Sequence, residues 1–108
     1  MRVRWNKQSK EQLLRTASYI RHEFGQVTMD DFMKEVKRTN KLMSKNPYIG
    51  PVEPLLSDLP IEYHSIVFSN INKVIYRIVD NHIEVVALWD TRREPQKQIE
   101  LTIKQKPD

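Results

Sequence analysis

The apolar residues of this chain change their spacing once, and that change limits the possible folds more than any other feature. Up to residue 46 they recur every three or four residues, as in amphipathic helices. From residue 63 they alternate with polar residues, as in strands that bury one face. Four prolines between residues 47 and 60 separate the two parts and oppose regular structure there. The pattern predicts an α+β fold in which helices precede an antiparallel sheet.

Length and composition fit one small domain spanning residues 1–108. With 39% hydrophobic and 30% charged residues, the chain is too apolar for a disordered protein. No apolar run reaches the roughly 18 residues of a membrane span, and the N-terminal charges are not followed by the apolar stretch of a signal peptide. We therefore expect a cytoplasmic protein without membrane contacts.

Several classes of site are excluded by the residue types. The chain has no cysteine, which excludes disulfides, thiolate metal sites and cysteine nucleophiles. Gly25 and Gly50 are too far apart to build a nucleotide-binding loop. No two histidines have the i, i+2 or i, i+4 spacing of metal ligands, and we expect neither a metal nor another cofactor.

A short strand and a helix are predicted at the N-terminus. In residues 2–5, Val3 and Trp5 share one face of the strand, and two arginines, Arg2 and Arg4, share the other. Ser9 lies three residues before Gln12, the capping-box spacing that predicts the start of the first helix. Gly25 stands at the expected C-cap of that helix.

A second helix is predicted to follow closely and to form a hairpin with the first. Thr28 and Asp31 repeat the start signal, and Asn46 before Pro47 predicts the end. The outer faces of the two helices would carry most of their basic residues, and the inner faces their apolar residues.

Three antiparallel strands are predicted next, over residues 63–70, 73–79 and 82–90. Asp80 and Asn81 tolerate the positive φ of a two-residue turn between the last two strands. This turn pairs Val79 with His82, and regular alternation then predicts the pairs Ile78–Ile83, Arg77–Glu84, Tyr76–Val85, Ile75–Val86 and Lys73–Leu88. The fold class is thus an N-terminal strand, a helix hairpin and a three-stranded antiparallel meander, with the helices packed on one sheet face.

The predicted register assigns the side chains of the last two strands to two faces. The face toward the helices would carry Val74, Tyr76, Ile78, Ile83, Val85, Ala87 and Trp89. The other face mixes apolar and charged residues, and we expect no remaining element of the chain to cover it. Such a face is a docking surface for another chain, which could be a second copy in a homodimer. For the tail, residues 96–108, the alternation of Ile99, Leu101 and Ile103 predicts a final strand or a segment ordered only upon binding.

Net positive charge is concentrated in the first half of the chain. Residues 1–47 contain eleven Lys and Arg against five Asp and Glu, whereas residues 48–72 contain none against three. A basic half favours an acidic partner, either nucleic acid or an acidic protein segment. The alternative is that these charges are the solvated sides of amphipathic helices.

Nucleophilic catalysis has little support. A hydrolase triad needs a serine or threonine beside a histidine that a carboxylate orients, and no Gly-x-Ser-x-Gly elbow is present. Of the three histidines, only His64 lies near other candidate residues. Its alternative role is that of a surface histidine on a strand.

The remaining candidates are basic. Lys73 and Arg77 share the predicted open face, and Arg92 and Arg93 follow the last strand. Such groups bind phosphate or stabilise the charge that develops on a phosphorane. The alternative is that Arg77 forms a cross-strand ion pair with Glu84 and that the other two arginines are a solvated strand exit.

Five fragments resemble the RelE/ParE superfamily of type II toxin–antitoxin toxins, also called plasmid stabilisation proteins. They span nearly the whole chain in the family's order, and they are Trp5-Asn6, Ala17-Ser18-Tyr19-Ile20, Asn46-Pro47-Tyr48-Ile49-Gly50, Lys73-Val74-Ile75-Tyr76-Arg77-Ile78 and Leu88-Trp89-Asp90-Thr91-Arg92-Arg93-Glu94-Pro95. The resemblance implies a toxin that a cognate antitoxin neutralises. One branch of the superfamily cleaves messenger RNA on the ribosome, and another poisons DNA gyrase without known RNase chemistry.

The end of the sheet is closer to the gyrase-poisoning ParE branch. Its strand exit typically reads Arg-Arg, an acidic residue and Pro, as residues 92–95 do. The RNA-cleaving branch uses a C-terminal Tyr or His-Tyr, and no Tyr or His follows His82 here. The resemblance therefore favours a ParE-like toxin without known RNase chemistry over an enzyme, with target- or antitoxin-binding residues Arg2, Arg4, Lys73, Arg77, Arg92 and Arg93.

Two alternatives remain. The first is a RelE-like, ribosome-dependent mRNA endonuclease, whose candidate catalytic residues would be Lys73, Arg77, Arg92, Arg93 and His64. The second is a degenerate toxin that serves only as a binding module for its antitoxin.

Overall fold

The computed structural model describes residues 1–104, and its elements follow the predicted order. They are β1 (Arg2–Trp5), α1 (Lys7–Phe24), α2 (Gln26–Lys45), a short 3-10 turn (Pro54–Leu56), β2 (His64–Phe68), β3 (Asn72–Val79), β4 (His82–Asp90) and α3 (Pro95–Ile103). Residues 105–108, the end of the tail, lie outside the described residues. Within residues 1–104, no helix combines the length and the apolar content needed to cross a membrane.

The first helix begins three residues earlier than predicted. Asn6, not Ser9, is its N-cap, and the Asn6 side chain accepts a 2.9 Å hydrogen bond from the Ser9 backbone N–H. The chain turns here because the Asn6 N–H is already bonded to the Val85 carbonyl of β4, at 3.0 Å. The Ser9 hydroxyl instead donates to the same carbonyl at 2.9 Å, so it fastens α1 to the sheet.

A single residue, Gly25, links the two helices of the hairpin. Gly25 is the C-cap of α1, as predicted, and an L side chain would adopt its φ of 94° only with strain. The second helix starts directly after it at Gln26, so the predicted start at Thr28 and Asp31 is wrong. The Thr28 hydroxyl donates to the Phe24 carbonyl rather than capping the helix, at 3.2 Å. The predicted end before Pro47 is confirmed.

The four strands form one mixed sheet in the order β1-β4-β3-β2. The meander β2-β3-β4 is antiparallel as predicted, and β1 adds a parallel strand beside β4. The hairpin turn has its positive φ at Asp80, 53°, and the predicted pairs from Val79–His82 to Tyr76–Val85 are confirmed.

Beyond Tyr76 the predicted register is wrong by one residue. A β-bulge gives β4 an extra residue, so Ile75 pairs with Ala87 and Lys73 pairs with Trp89. Because side chains alternate between faces, one extra residue moves every later side chain to the opposite face. Ala87 and Trp89 therefore point away from the helices, and Leu88 takes the predicted place of Trp89 among them.

The helices pack on one face of the sheet, as predicted, and form the first core there. Val3 and Trp5 both contribute to it from β1, which confirms their predicted common face. Its buried residues are Trp5, Ala17, Phe32, Val36, Met43, Phe68, Val74, Tyr76, Ile83, Val85 and Leu88.

A second core lies on the opposite face, which was expected to stay open. There the 3-10 turn, the segment after it and α3 cover Ile75, Val86, Ala87 and Trp89, using side chains that include Leu56, Tyr63 and Ile99. The prediction that nothing in the chain covers this face is therefore wrong for this half of it. The expected final strand is also wrong, because Glu94 caps a helix that has Pro95 in its first turn.

Side chains of α3 fasten this helix to the end of β4. The Trp89 indole N–H donates to the Thr102 hydroxyl at 3.1 Å. The Gln98 side-chain oxygen accepts from the Asp90 backbone N–H at 2.9 Å, and its NH₂ group donates to the Asp90 carbonyl at 3.2 Å. Ile99 and Thr102 lie three residues apart, so the helix presents them on one side, while Leu101 and Ile103 remain about half exposed.

Candidate functional site

Two arginines share one buried carboxylate on the half of the second face that α3 leaves uncovered. Glu84 is 8% exposed. One of its oxygens accepts from Arg4 Nη2, and the other accepts from Arg77 Nε at 2.8 Å. The Arg77–Glu84 pair is the cross-strand pair that the hairpin register predicts. Arg4 joins it because β1 pairs in parallel with β4 and places Arg4 opposite Glu84.

Arg2 extends the same side of β1, opposite His82 of β4, and its side chain is exposed. Arg2, Arg4 and Arg77 therefore lie close together on this face, and of these three residues the sequence analysis placed only Arg77 on the open face. The group carries one buried carboxylate, so its guanidinium charges exceed its carboxylate charge by two.

Lys73 forms a separate pair at the other end of β3. Its Nζ lies 2.8 Å from Oε1 of Glu53 and 5.8 Å from the centre of the Trp89 ring. Glu53 is fully buried. Burial raises the pKa of Glu53, but the hydrogen bonds from Lys73, from the Leu55 N–H and from the Ser65 hydroxyl outweigh it, and the pKa lies below its ordinary value. Glu53 is therefore a carboxylate that holds the Lys73 ammonium.

A groove of about 370 Å³ opens beside this pair. Apolar residues form most of its wall, and the lining is Ile49, Gly50, Pro51, Glu53, Pro54, Ser65, Ile66, Val67 and Lys73. Its one hydroxyl, on Ser65, helps to lower the pKa of Glu53. The groove lining contains no histidine that could activate this hydroxyl as a nucleophile.

His64 is buried rather than on the surface of its strand, with 5% exposure. Its Nδ1 lies 2.8 Å from the Gly50 carbonyl, and its ring stacks on Tyr76 with 5.5 Å between the centroids. Tyr48 closes the opposite side edge-on, at 5.7 Å. These contacts hold the loop after α2 against the sheet.

The Tyr76 hydroxyl supports the same loop. It donates to the Pro47 carbonyl at 2.8 Å and accepts from the Gly50 N–H at 3.0 Å. Burial raises the pKa of Tyr76, and the Gly50 N–H opposes this only in part. A fully buried phenol that makes two backbone hydrogen bonds stabilises the loop, which agrees with the face that the register predicts for it.

The strand exit after β4 holds the other two arginines. Asp90 accepts from Arg92 Nε at 3.1 Å, from Nη2 at 3.0 Å and from the Arg92 backbone N–H at 2.9 Å. These bonds, the side-chain bond above all, hold the pKa of Asp90 below its ordinary value despite its partial burial. Arg93 approaches Asp90 only to 4.0 Å, and its side chain is 78% exposed. The strand exit thus presents one guanidinium that Asp90 orients and a second that is exposed and only weakly paired.

The six basic candidates therefore fall into three places: the Arg2, Arg4 and Arg77 group, the Lys73 pair and the Arg92–Arg93 exit. Sequence reasoning missed Glu53 and Asp90 as the carboxylates that hold them. A lone Glu in a proline-rich segment carries no signal of burial, whereas Asp90 two residues before Arg92 has the spacing of an Asx-type turn. Among residues 1–104, no group of three or more His, Asp or Glu side chains is placed to hold a metal ion.

A family model described as "ParE toxin of type II toxin-antitoxin system, parDE" matches residues 3–95. The chain belongs to the ParE toxin family. This confirms the resemblance to the RelE/ParE superfamily and its ParE branch, and it makes the chain the toxin component of a type II toxin–antitoxin system. Membership of the ParE family also implies a cognate antitoxin as partner.

The fold agrees with a solved structure titled "Chromosomal ParDE TA system from P. aeruginosa". The TM-score is 0.70 at 12% sequence identity, and the match covers 85% of this chain and 97% of that chain. At this identity the similarity concerns the fold. A search of curated proteins gave no match. The ParE family match ends where α3 begins, so the helix that covers the second core lies almost wholly beyond it.

Proposed function

We propose that this ParE-family toxin acts by binding a macromolecular target, DNA gyrase by its family resemblance, and that its cognate antitoxin neutralises it. One observation carries the choice of binding over catalysis. The basic residues that an RNase would use are held by carboxylates: Lys73 by Glu53, Arg77 by Glu84 and Arg92 by Asp90. Cations paired in this way are poor proton donors and acceptors, because each pair favours the charged form of both partners.

The general acid or base of an RNase also lacks a candidate at the expected place. No Tyr or His follows His82 in the sequence. His64 and Tyr76 are buried and bonded to the backbone of the loop after α2, which keeps them from a ribose 2′-hydroxyl. Both features support a toxin without RNase activity over the mRNA endonuclease.

The exposed guanidinium groups are the contacts that we propose for the partners. Arg92 and Arg93 are 65% and 78% exposed, and Asp90 fixes the direction of the first. We assign these two to the target. Arg2, Arg4 and Arg77 form a cationic group suited to an acidic antitoxin segment, whereas Lys73 is held by Glu53 and contributes less.

The function is tested by inducing the protein without an antitoxin and examining both plasmid topology and messenger RNA ends. Relaxed or broken plasmid with intact messages supports gyrase poisoning. Message cleavage in register with codons would contradict the proposal in favour of the endonuclease, and normal growth with neither change would indicate a degenerate toxin. Purified protein added to a gyrase supercoiling assay gives the same decision in vitro.

The double substitution Arg92→Ala and Arg93→Ala should weaken inhibition of gyrase about tenfold or more, because charge-assisted contacts at the centre of an interface cost at least about 1.4 kcal/mol when lost. The readout is the toxin concentration that halves supercoiling. The control is Lys10→Ala with Arg21→Ala, which removes two exposed cations from α1. Equal inhibition by the Arg92 and Arg93 variant and the wild type would remove both arginines from the site.

A further inference from the structure

Five basic residues lie along one face of α2. At about 100° per residue, they fall within roughly 100° of the helix circumference, opposite the side that is buried in the first core. All five side chains are exposed. We call them the α2 basic stripe, and they are Lys34, Lys37, Arg38, Lys41 and Lys45.

The segment that contains the stripe has the same net charge as the whole chain. Glu35 is the one acidic residue between residues 34 and 45, so this segment has the same charge, +4, as all 108 residues together. Glu35 lies 3.0 Å from Arg38 and partly neutralises it. The polar side of α1 is different, because Glu11 and Glu23 are interspersed among its cations.

Helix stability does not account for this segregation. The helix dipole favours a cation in the last turn, which explains Lys45, and its effect fades beyond that turn. For Lys37 and Lys41, every charged residue three or four positions away is another cation, and such like-charge pairs destabilise a helix. Repulsion between these cations therefore destabilises the unbound protein, and an anionic ligand would relieve it.

We propose that the α2 basic stripe binds the phosphate backbone of duplex DNA without reading its sequence. The twelve residues from Lys34 to Lys45 span about 16 Å along the helix axis, at 1.5 Å for each of the steps between them. One DNA strand presents a phosphate about every 3.4 Å along the axis, so the stripe spans about as many phosphates as it has cations.

The chemistry of the stripe favours this ligand over other polyanions. Four of its five cations are lysines, which act as point charges toward phosphates rather than as bidentate readers. It carries no aromatic or amide side chain that could stack on a base or bond a 2′-hydroxyl, as single strands and RNA are usually recognised. The apolar side of α2 is buried in the first core, so the helix cannot insert it into a membrane surface.

The test measures binding of the purified full chain to a fluorescein-labelled, mixed-sequence DNA duplex of about two helical turns, by anisotropy over a range of salt concentrations. We expect a dissociation constant of about 10⁻⁴–10⁻⁶ M near physiological salt and a linear fall of log K with log salt. The triple variant Lys37→Gln, Lys41→Gln and Lys45→Gln should weaken binding at least about tenfold and make the salt slope shallower by about 3.

The matched control Lys10→Gln, Arg15→Gln and Arg21→Gln removes the same charge from exposed positions of α1. It should change the slope by less than about one unit, because these residues lie off the stripe. Circular dichroism would confirm that both variants fold. Because only protein and DNA are present, the outcome does not depend on toxicity or on gyrase.

Three results would overturn the proposal. Equal losses in the stripe variant and the control would mean that net charge alone attracts DNA. Tighter binding to duplex RNA of the same sequence would assign the stripe to RNA. Stronger competition by poly-L-glutamate than by unlabelled DNA, at equal charge, would assign it to an acidic protein.

Discussion

Ion pairs with individual carboxylates determine which basic side chains of this toxin are free to contact a partner. Glu53 and Glu84 are buried and hold Lys73 and Arg77, while Asp90 orients Arg92. The Arg77–Glu84 pair could be predicted, because a two-residue turn fixes the register of its hairpin. The Glu53–Lys73 pair could not, because it joins a proline-rich segment to a strand twenty residues later, and no local pattern encodes that distance.

Glu53→Gln should destabilise the protein by about 2–4 kcal/mol, because it leaves the half-buried Lys73 ammonium without its charged partner. The free energy of unfolding from urea titration measures the loss. Lys73→Met in the same background should recover part of it by removing the unpaired charge. If Glu53→Gln were as stable as the wild type, the pair would have no structural role.

Gly50→Ala should cost about 1–3 kcal/mol, because overpacking of a buried site forces the backbone to move. An added Cβ would lie 2.5 Å from the Ser65 carbonyl oxygen and 2.9 Å from the Tyr76 hydroxyl. Tyr76→Phe, which removes the hydroxyl, should not rescue the variant, because the carbonyl is the nearer atom. Recovery of full stability in the double variant would contradict this account of Gly50.

At the scale of elements, the sequence predicted those whose signal is local. The helix hairpin, the meander and the end of α2 follow from periodicity, proline and turn residues. The parallel pairing of β1, the bulge in β4 and the docking of α3 depend on contacts between distant residues, so periodicity alone could not indicate them. The predicted helix starts were wrong because Asn6 and Gly25 are the N-caps. The helices therefore begin earlier, and Ser9 and Thr28 lie inside them.

Truncation after Glu94 should expose the second core and lower stability by about 2–4 kcal/mol, since Trp89 loses both its cover and its hydrogen bond to Thr102. Thermal unfolding and the red shift of tryptophan fluorescence both report it. Thr102→Val, which keeps the helix, should cost only about 1 kcal/mol and leave the emission nearly unchanged. A truncated protein with unshifted emission would mean that α3 does not cover Trp89.

At the scale of the whole molecule, charge and hydrophobic burial are arranged independently. The two cores occupy opposite faces of one sheet, whereas the net positive charge collects on the solvent side of α2. The ParE family relation covers residues 3–95, so the first core, the meander and the strand exit belong to the shared fold. Composition predicted an excess of positive charge in the first half of the chain, but only the helix geometry showed that much of it lies along one face of α2.

Stability should fall as the solution is acidified below about pH 4.5, the ordinary pKa of a glutamate. Glu53 and Asp90 have lowered pKa values in the folded protein, so the unfolded chain binds protons first and the stabilisation that both groups give at neutral pH is lost as pH falls through the folded values. Urea midpoints between pH 7 and pH 3 measure the slope. It should be shallower in Glu53→Gln, and an identical slope would exclude Glu53 as a contributor.

Because of the bulge, the exact number of residues in β4 determines which sheet face its last side chains occupy. Val86 is the extra residue of β4 relative to β3. The face on which each later side chain of β4 lies, including the Trp89 ring under α3, depends on the number of residues before it and not on its residue type. Losing one residue there would exchange the places of Leu88 and Trp89 and leave each helical layer facing the wrong side chain. Insertions and deletions in this strand are therefore tolerable only in twos, and homologues should vary its amino acids far more freely than its length.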